Sequence, residues 1–235
     1  IILGTVTLSG LSAKYVARWL GVVRRDSNGF IIVGAHESAV AIAKYLVKQR
    51  IPVTLVDTSR RNVHNAIGRH LHAIEGNILS EEITEEVFTE DAGYLLSLTA
   101  SHDINILACN RFEKIFGKGR VFRLITVSEM KFSTMTRPKT ILFGGDADFI
   151  KMTEIVRKYP EVGEMSLSDK DHLMRILENE EDELIPLFIK SKAGKFTVIN
   201  ARYDVKFDEG DQLVYMGRAS KDLLWEKENS SNSPS

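Results

Sequence analysis

Two positions in the first part of the chain carry residue types that suit phosphate and ribose binding. Gly34 directly follows the apolar run 30–33, and Asp57 directly follows the run 53–56, which is rich in β-branched residues. A glycine turn that leads into a helix directs backbone N–H groups at an anion. A carboxylate at the end of the next strand can hold ribose hydroxyls and disfavours a 2′-phosphate. The spacing therefore predicts a site for NAD or a simple adenine nucleotide rather than NADP.

The glycine fingerprint of a dinucleotide site, G-x-G-x-x-G, is incomplete in this chain. His36 and Ala39 occupy its second and third glycine positions. We expect the His36 side chain to fill space that a pyrophosphate would use, which weakens binding of a full dinucleotide. At a helix N-terminus the imidazole N–H could instead bind a single phosphate, and the backbone N–H groups of residues 36–39 do not depend on the missing glycines.

Other reactive residue types do not form a recognisable catalytic set. Arg60 and Arg61 either contact adenine or phosphate or are solvent-exposed residues of a first helical turn. His70 and His72 share one face of a predicted strand, but no Cys, Asp or Glu is placed to complete a metal site. Cys109 follows an apolar run, which is typical of a buried structural thiol. The sequence contains no evident Ser/His/Asp set, paired carboxylates or P-loop, so we predict neither catalytic nor metal-binding residues and no enzyme.

The elements around these residues alternate between strand and helix patterns. The expected strands are 30–33, 52–56, 71–74, 94–98 and 121–126, and the expected helices are 37–49, the segment from Asp57 to Ile67, a short helix opened by Ser80, and 102–115. This alternation predicts an α/β fold with a doubly wound, Rossmann-like parallel sheet. The loops 34–38, 57–60, 75–77 and 99–103 should converge at its carboxyl edge.

A smaller α+β domain is predicted to follow. Its expected elements are a strand at 140–144, a helix at 147–158, a hairpin of 185–190 with 195–200, and a strand at 212–216, with a solvated acidic run at 178–183. The predicted domain boundaries are 1–25 for the end of a last transmembrane helix and a basic cytoplasmic connector, 26–130 for the Rossmann-like domain, 131–138 for a linker, 139–219 for the smaller domain, and 220–235 for a polar, disordered tail.

Composition narrows the class of protein further. The net charge of −1 and the lack of a basic stripe exclude a nucleic-acid-binding protein. A single cysteine excludes a disulfide framework and fits a reducing compartment. Residues 1–23 begin apolar and become basic, which is typical of the cytoplasmic end of a membrane helix. On the residues alone, an amphipathic helix that covers the domain explains this segment equally well.

Several motifs, taken in order, resemble regulator-of-K⁺-conductance (RCK, TrkA-N-like) domains. In that family a motif after the fourth strand reads L-T-x-x-D-x-x-N. The residues that carry the likeness are Gly34-Ala35-His36, Leu55-Val56-Asp57-Thr58, Gly76-Asn77, and Leu98-Thr99-Ala100-Ser101-His102-Asp103-Ile104-Asn105. The His36 turn, joined to Gly4-Thr5-Val6 through Ala17–Gly21, looks more narrowly like the cytosolic region of bacterial NhaP-like monovalent cation:proton (Na⁺/H⁺) antiporters.

The resemblance implies a dimerising, nucleotide-sensing region on the cytoplasmic side of the plasma membrane. It would regulate Na⁺(K⁺)/H⁺ exchange by the transporter part of the same polypeptide, with AMP, ATP or NAD as ligand. Mapped by motif, the ligand contacts would be Gly34, His36, Ser38, Asp57, Gly76, Asn77, Thr99 and Asn105. An RCK-type gating or regulatory subunit of a K⁺ channel or uptake system is the alternative, and a soluble NAD-dependent oxidoreductase is a third.

Overall fold

A five-stranded, fully parallel sheet forms the first domain, as predicted. The computed structural model describes residues 27–88, 92–133, 136–178, 183–203 and 205–219. The strands are β1 (Gly29–Val33), β2 (Val53–Asp57), β3 (His72–Glu75), β4 (Ala92–Ser97) and β5 (Val121–Arg123). The sheet order is β3-β2-β1-β4-β5. The chain therefore reverses direction across the sheet between β1 and β4, where open α/β sheets bind ligands.

Helices cover both faces of this sheet. They are α1 (Glu37–Lys48), α2 (Arg60–Gly68), α3 (Glu81–Phe88) and α4 (His102–Phe116). Strand β1 shows why both faces must be covered. Phe30 and Ile32 pack into the core that contains α1, whereas Ile31 and Val33 pack into the core that contains α4. Alternate side chains of a strand point to opposite faces, so an entirely apolar strand requires helices on each side.

The second, smaller domain contains a four-stranded antiparallel sheet in the order β6-β9-β7-β8. Its elements are α5 (Phe149–Lys158), β6 (Val162–Ser166), α6 (Lys170–Glu178), β7 (Leu184–Lys190), β8 (Phe196–Val198) and β9 (Gln212–Gly217). The predicted hairpin of β7 with β8 is confirmed.

Three predictions for the chain after residue 120 were wrong or incomplete. Strand β5 ends at Arg123 rather than at residue 126. The predicted strand 140–144 is instead two single bridges, from Ile141 to Arg123 and from Leu142 to Asn200, followed by a 3-10 turn at Phe143–Gly145. This segment crosses from one sheet to the other, so it cannot pair continuously with either. Strand β6 and helix α6 were not predicted.

The two sheets share a continuous hydrophobic core. The Phe30 ring of β1 stacks on Tyr94 with centroids 4.9 Å apart, and it meets Phe188 of β7 edge-on at 5.8 Å. The Tyr45 hydroxyl of α1 donates a 2.7 Å hydrogen bond to Glu164 Oε1 on β6, and Lys190 of β7 pairs with the same carboxylate at 3.1 Å. Helix α1, which begins at the carboxyl edge of the first sheet, is thus fixed to the second domain.

The segment predicted as a linker is anchored by Arg137. Its buried guanidinium donates to the carbonyl oxygens of Phe132 at 3.0 Å and Met130 at 2.9 Å. The exact domain boundaries stay predictions. The membrane-helix end at 1–25 and the tail at 220–235 lie outside the described residues. Within the described ranges, no helix has the length and hydrophobicity needed to cross a bilayer.

Candidate nucleotide-binding site

A cavity of about 380 Å³ opens where β1, β2, β3 and β4 end. Its volume lies in the range of small-molecule sites. Six predicted site residues line it: Gly34, His36, Asp57, Gly76, Asn77 and Thr99. The other two, Ser38 and Asn105, are buried behind its wall. All four predicted loops therefore contribute to one cavity at the carboxyl edge of the sheet.

The turn after β1 requires glycine at its first position. Gly34 adopts φ +105°, a conformation that side-chain-bearing residues rarely adopt, and its N–H donates to Val56 O at 2.8 Å. The next N–H, from Ala35, donates to Asp57 Oδ2 at 2.7 Å. The two features that the sequence pairs by spacing are thus joined directly by a hydrogen bond.

Asp57 is oriented by three protein donors. Besides Ala35, the Ser59 N–H donates to Oδ1 at 2.8 Å, and the Asn62 side-chain amide donates to Oδ2 at 3.0 Å. A carboxylate has about four lone-pair directions. These bonds therefore occupy Oδ2 and leave one direction on Oδ1 for a ligand hydroxyl, which is what a ribose contact requires.

Both ring nitrogens of His36 are engaged by the protein. Nε2 lies 2.7 Å from Leu98 O, and Nδ1 lies 3.0 Å from Ser38 Oγ. Because a carbonyl oxygen can only accept, Nε2 carries the proton, and Nδ1 of the neutral ring accepts from the Ser38 hydroxyl. The N–H that we expected to be free for a phosphate is therefore used by Leu98 in this structure. The ring edge also meets Phe149 of α5, with centroids 4.8 Å apart.

Burial lowers the pKa of His36 below its ordinary value of 6.5. The unfolded state then binds a proton more readily than the folded state, so the stability linked to this group is complete above about pH 6.5 and falls as the pH decreases. We expect the free energy of unfolding of His36→Gln to decrease less than that of wild type as the pH falls from about 7.5 to about 5.5. Urea titrations of wild type, His36→Gln and the exposed-site control His64→Gln test this. Parallel profiles for His36→Gln and wild type would contradict it.

The loop after β3 is shaped by local contacts of Gly76 and Asn77. Gly76 donates its N–H to Asp57 O at 3.0 Å, and a Cβ at Gly76 would lie 2.4 Å from Ile83 Cδ1. Asn77 is exposed, and its Oδ1 accepts the Leu79 N–H at 2.9 Å. Glycine at position 76 therefore lets the loop approach α3, and Asn77 forms a turn at the cavity rim.

Asn105, predicted as a ligand contact, stabilises the loop after β4. Its side chain is 1% exposed. Its Oδ1 accepts from Ser97 Oγ at 2.9 Å and from the Thr99 N–H at 3.1 Å, and its Nδ2 donates to Thr99 O at 2.8 Å. The amide thus acts on the site through Thr99, which itself lines the cavity.

The cavity lining carries one ionised group, Asp57, and includes no lysine or arginine among the described residues. Arg60 and Arg61 are exposed on α2 and do not line it. Glu37, in the first turn of α1, pairs with Arg69 at 2.7 Å. The N–H groups of residues 36–39 have no hydrogen-bond partner within the described part of the chain. Of these four residues, His36, the N-cap of α1, lines the cavity, so the described lining presents the α1 N-terminus rather than a cationic side chain to a phosphate.

The surroundings of the candidate metal-binding histidine His72 and of Cys109 indicate structural roles. His72 Nδ1 lies 3.2 Å from Thr54 Oγ1. The described residues include no group of three or more His, Cys, Asp or Glu side chains suited to a metal ion. Cys109 is buried on α4, and burial raises the pKa of its thiol to about 12. Such a thiol is protonated at neutral pH, which fits a packing role.

Comparison with known proteins identifies a family match in the first domain. Residues 30–132 match the family model described as the TrkA-N domain. The first domain has the TrkA-N fold. The chain is 26% identical over 117 residues to the Trk system potassium uptake protein TrkA of Haemophilus influenzae, covering 49% of this chain and 24% of the relative. The chain thus spans about a quarter of that relative's length.

Solved structures with detectable similarity include a domain of a membrane protein and a channel. The TrkA-N domain of the inner membrane protein YbaL from Escherichia coli is 19% identical, with a TM-score of 0.39, covering 56% of this chain and 93% of that one. A GsuK channel bound to NAD is 12% identical, with a TM-score of 0.42, covering 95% of this chain and 45% of that one.

The TrkA-N-like domain does not form the cavity alone. Phe149 of the second domain lines it, as do Asn62, Ile78 and Ile104 of the first, and sequence reasoning identified none of these. Asn62 had a usable signal, because it follows an Asp-Thr-Ser helix start within one turn. Phe149 had none, since only the docking of the two domains places it beside His36.

Proposed function

We propose that this chain is a nucleotide-binding regulatory region of a membrane system that transports monovalent cations. The observation that carries the proposal is the cavity at the carboxyl edge of a TrkA-N-type sheet, where the oriented Asp57 carboxylate and His36, the N-cap of α1, both line the wall. A ribose would bind Asp57, and a phosphate would bind the α1 N-terminus. The base would lie between the loops after β3 and β4.

The second domain supplies a route from ligand to output. Phe149 lines the cavity, and α1, which begins at the cavity, is bonded to β6 through Tyr45 and Glu164. A ligand that prefers one arrangement of the two domains shifts the population toward it by its differential affinity, typically about 1–3 kcal/mol. No chemical step is required for this, so the proposed protein is a sensor rather than an enzyme.

Two transport contexts fit the proposal. The similarity to a potassium uptake protein supports a role in a K⁺ uptake or channel system. The His36 turn and the apolar-to-basic pattern of residues 1–23 favour the C-terminal region of an NhaP-like Na⁺(K⁺)/H⁺ antiporter, on the cytoplasmic side of the plasma membrane, in the same polypeptide as the transporter. A homodimer is proposed in either case. The upstream sequence distinguishes the two contexts. A K⁺ channel would carry a T-V-G-Y-G pore loop, whereas an antiporter would carry about a dozen hydrophobic helices with intramembrane Asp residues.

Calorimetric and thermal-shift titrations of the full chain with AMP, ATP, NAD⁺ and NADH test the proposal. A nucleotide at 100 times its Kd should stabilise the fold by about 2.7 kcal/mol. Asp57→Asn should weaken binding about 10- to 100-fold, since a hydrogen bond to a charged group is lost. Asp103→Asn, at an exposed carboxylate of the α4 first turn, is the matched control and should bind like wild type. Absence of binding by all four nucleotides, or full binding by Asp57→Asn, would refute the proposal.

A further inference from the structure

The His36 ring bridges the crevice between β1 and β4. His36 lies in the turn that follows β1, and Leu98 directly follows β4, its paired parallel neighbour. The Nε2···O distance of 2.7 Å joins the two strand ends. In a doubly wound sheet this crevice is the place where the strand order reverses, and a dinucleotide crosses it with its pyrophosphate. The imidazole therefore stands across that path.

The ring is held in this position by several contacts. Ser38, which is fully buried, holds Nδ1 at 3.0 Å, and the edge contact with Phe149 joins the ring to the second domain. Rotating the side chain away would break both hydrogen bonds and leave the buried Ser38 hydroxyl without its partner. Removing a partner from a buried polar group costs about 1–3 kcal/mol. The imidazole is thus a fixed part of the cavity wall.

The space that remains suits one nucleoside. The groups expected to hold ribose and base, Asp57, Gly76 and Ile104, line a single cavity of about 380 Å³. The described lining provides no cation to neutralise several phosphates, and the acidic side chain of Glu37 stands in the first turn of α1. An α-helix N-terminus carries roughly half a positive charge. That suffices for one phosphate group and is poorly matched to a triphosphate.

We propose that the cavity is a half-site that binds a nucleoside or nucleoside monophosphate and excludes dinucleotides and triphosphates, with His36 as the specificity-determining residue. This inference rests on the proposed nucleotide-binding function and narrows its ligand class. It predicts a sensor of mononucleotide level rather than of the NAD⁺/NADH ratio.

Isothermal titration calorimetry of the full chain with adenosine, AMP, ATP and NAD⁺ tests the inference. Wild type should bind AMP at least about tenfold more tightly than NAD⁺ or ATP, a difference of about 1.4 kcal/mol. His36→Gly should raise the affinity for NAD⁺ relative to AMP by about tenfold or more, because the crevice opens. His64→Gln, an exposed substitution on α2 outside the cavity lining, is the control and should keep the wild-type preference.

The outcomes separate the two proposals. If wild type bound NAD⁺ as tightly as AMP or more tightly, the half-site would be overturned while nucleotide sensing stayed intact. An unchanged preference in a folded His36→Gly would overturn the role of His36. No binding of any ligand to any folded form would overturn the nucleotide function and the half-site together. The wild-type comparison decides the ligand class even where His36→Gly does not fold.

Discussion

Replacing Glu129 with glutamine is expected to lower the free energy of unfolding by about 3 kcal/mol. Glu129 forms a two-point ion pair with Arg123, with Nη1···Oε2 at 2.8 Å and Nη2···Oε1 at 2.5 Å. The two side chains are only 8% and 20% exposed, so the substitution leaves a nearly buried guanidinium without its counter-charge. Arg123 also donates its N–H to Thr140 O and accepts from the Leu142 N–H, so the pair reinforces the joint between the domains.

The pKa of Glu129 shows the same preference for the ionised form. Hydrogen bonds from Arg123, followed by those from Thr126, lower this pKa from 4.5 to about 2. The shift favours the ionised form of Glu129 in the folded protein. Because the folded-state pKa is depressed, the contribution is complete above about pH 4.5 and is lost as the pH falls toward about 2. The difference between wild type and Glu129→Gln should shrink over that interval.

Urea denaturation at neutral and acidic pH measures both effects. Glu37→Gln is the matched control, since Glu37 forms an ion pair with Arg69 on the surface, where the side chains are 55% and 35% exposed. Such pairs contribute at most about 1 kcal/mol. Equal losses in the two variants would show that burial does not distinguish the Arg123–Glu129 pair.

Asn105→Leu is expected to lower the free energy of unfolding by about 3 kcal/mol and to weaken nucleotide binding. Leucine has a similar volume but cannot replace the bonds to Ser97 Oγ, Thr99 N–H and Thr99 O. The Ser97 side chain is fully buried and cannot turn to water, while the loop that places Thr99 on the cavity loses its anchor. The cost is that of several unsatisfied polar groups, each about 1–3 kcal/mol.

Asn110→Leu provides the control on the same helix. Asn110 is exposed on α4, so the substitution should change stability by no more than about 0.5 kcal/mol. Thermal and urea denaturation measure the stability of both variants, and calorimetry with AMP measures binding. If Asn105→Leu matched Asn110→Leu in both assays, the loop would not depend on the amide.

The parallel sheet and its helices could be predicted because their signals are local. The runs 30–33 and 53–56 are apolar over the length of a buried strand, and helix-period patterns separate them. The candidate residues at the ends of these strands follow from the same order, since parallel strands bring their carboxyl ends to one edge. Gly34 and Asp57 are therefore adjacent in space because the chain order requires it, and Ala35 completes the contact.

Elements that depend on distant partners could not be predicted in this way. Segment 140–144 is as apolar as a strand, yet its bridges go to Arg123 in the first sheet and to Asn200, two residues after β8 of the second. Strand β6 has an intermediate burial pattern and carries Glu164, whose partners Tyr45 and Lys190 lie far away in the chain. The local sequence patterns of segment 140–144 and of β6 do not show which distant residues they pair with.

The sequence by itself determined a doubly wound sheet with a glycine turn and a carboxylate at its carboxyl edge, because strand period, turn chemistry and chain order are local properties. Only the tertiary structure decided how the side chains of that edge are used. It placed Asn105 behind the cavity and bonded His36 to Leu98. It also brought Phe149 of the second domain to the site. Hydrogen bonds between residues far apart in the chain form only where folding brings a donor within about 3 Å of an acceptor.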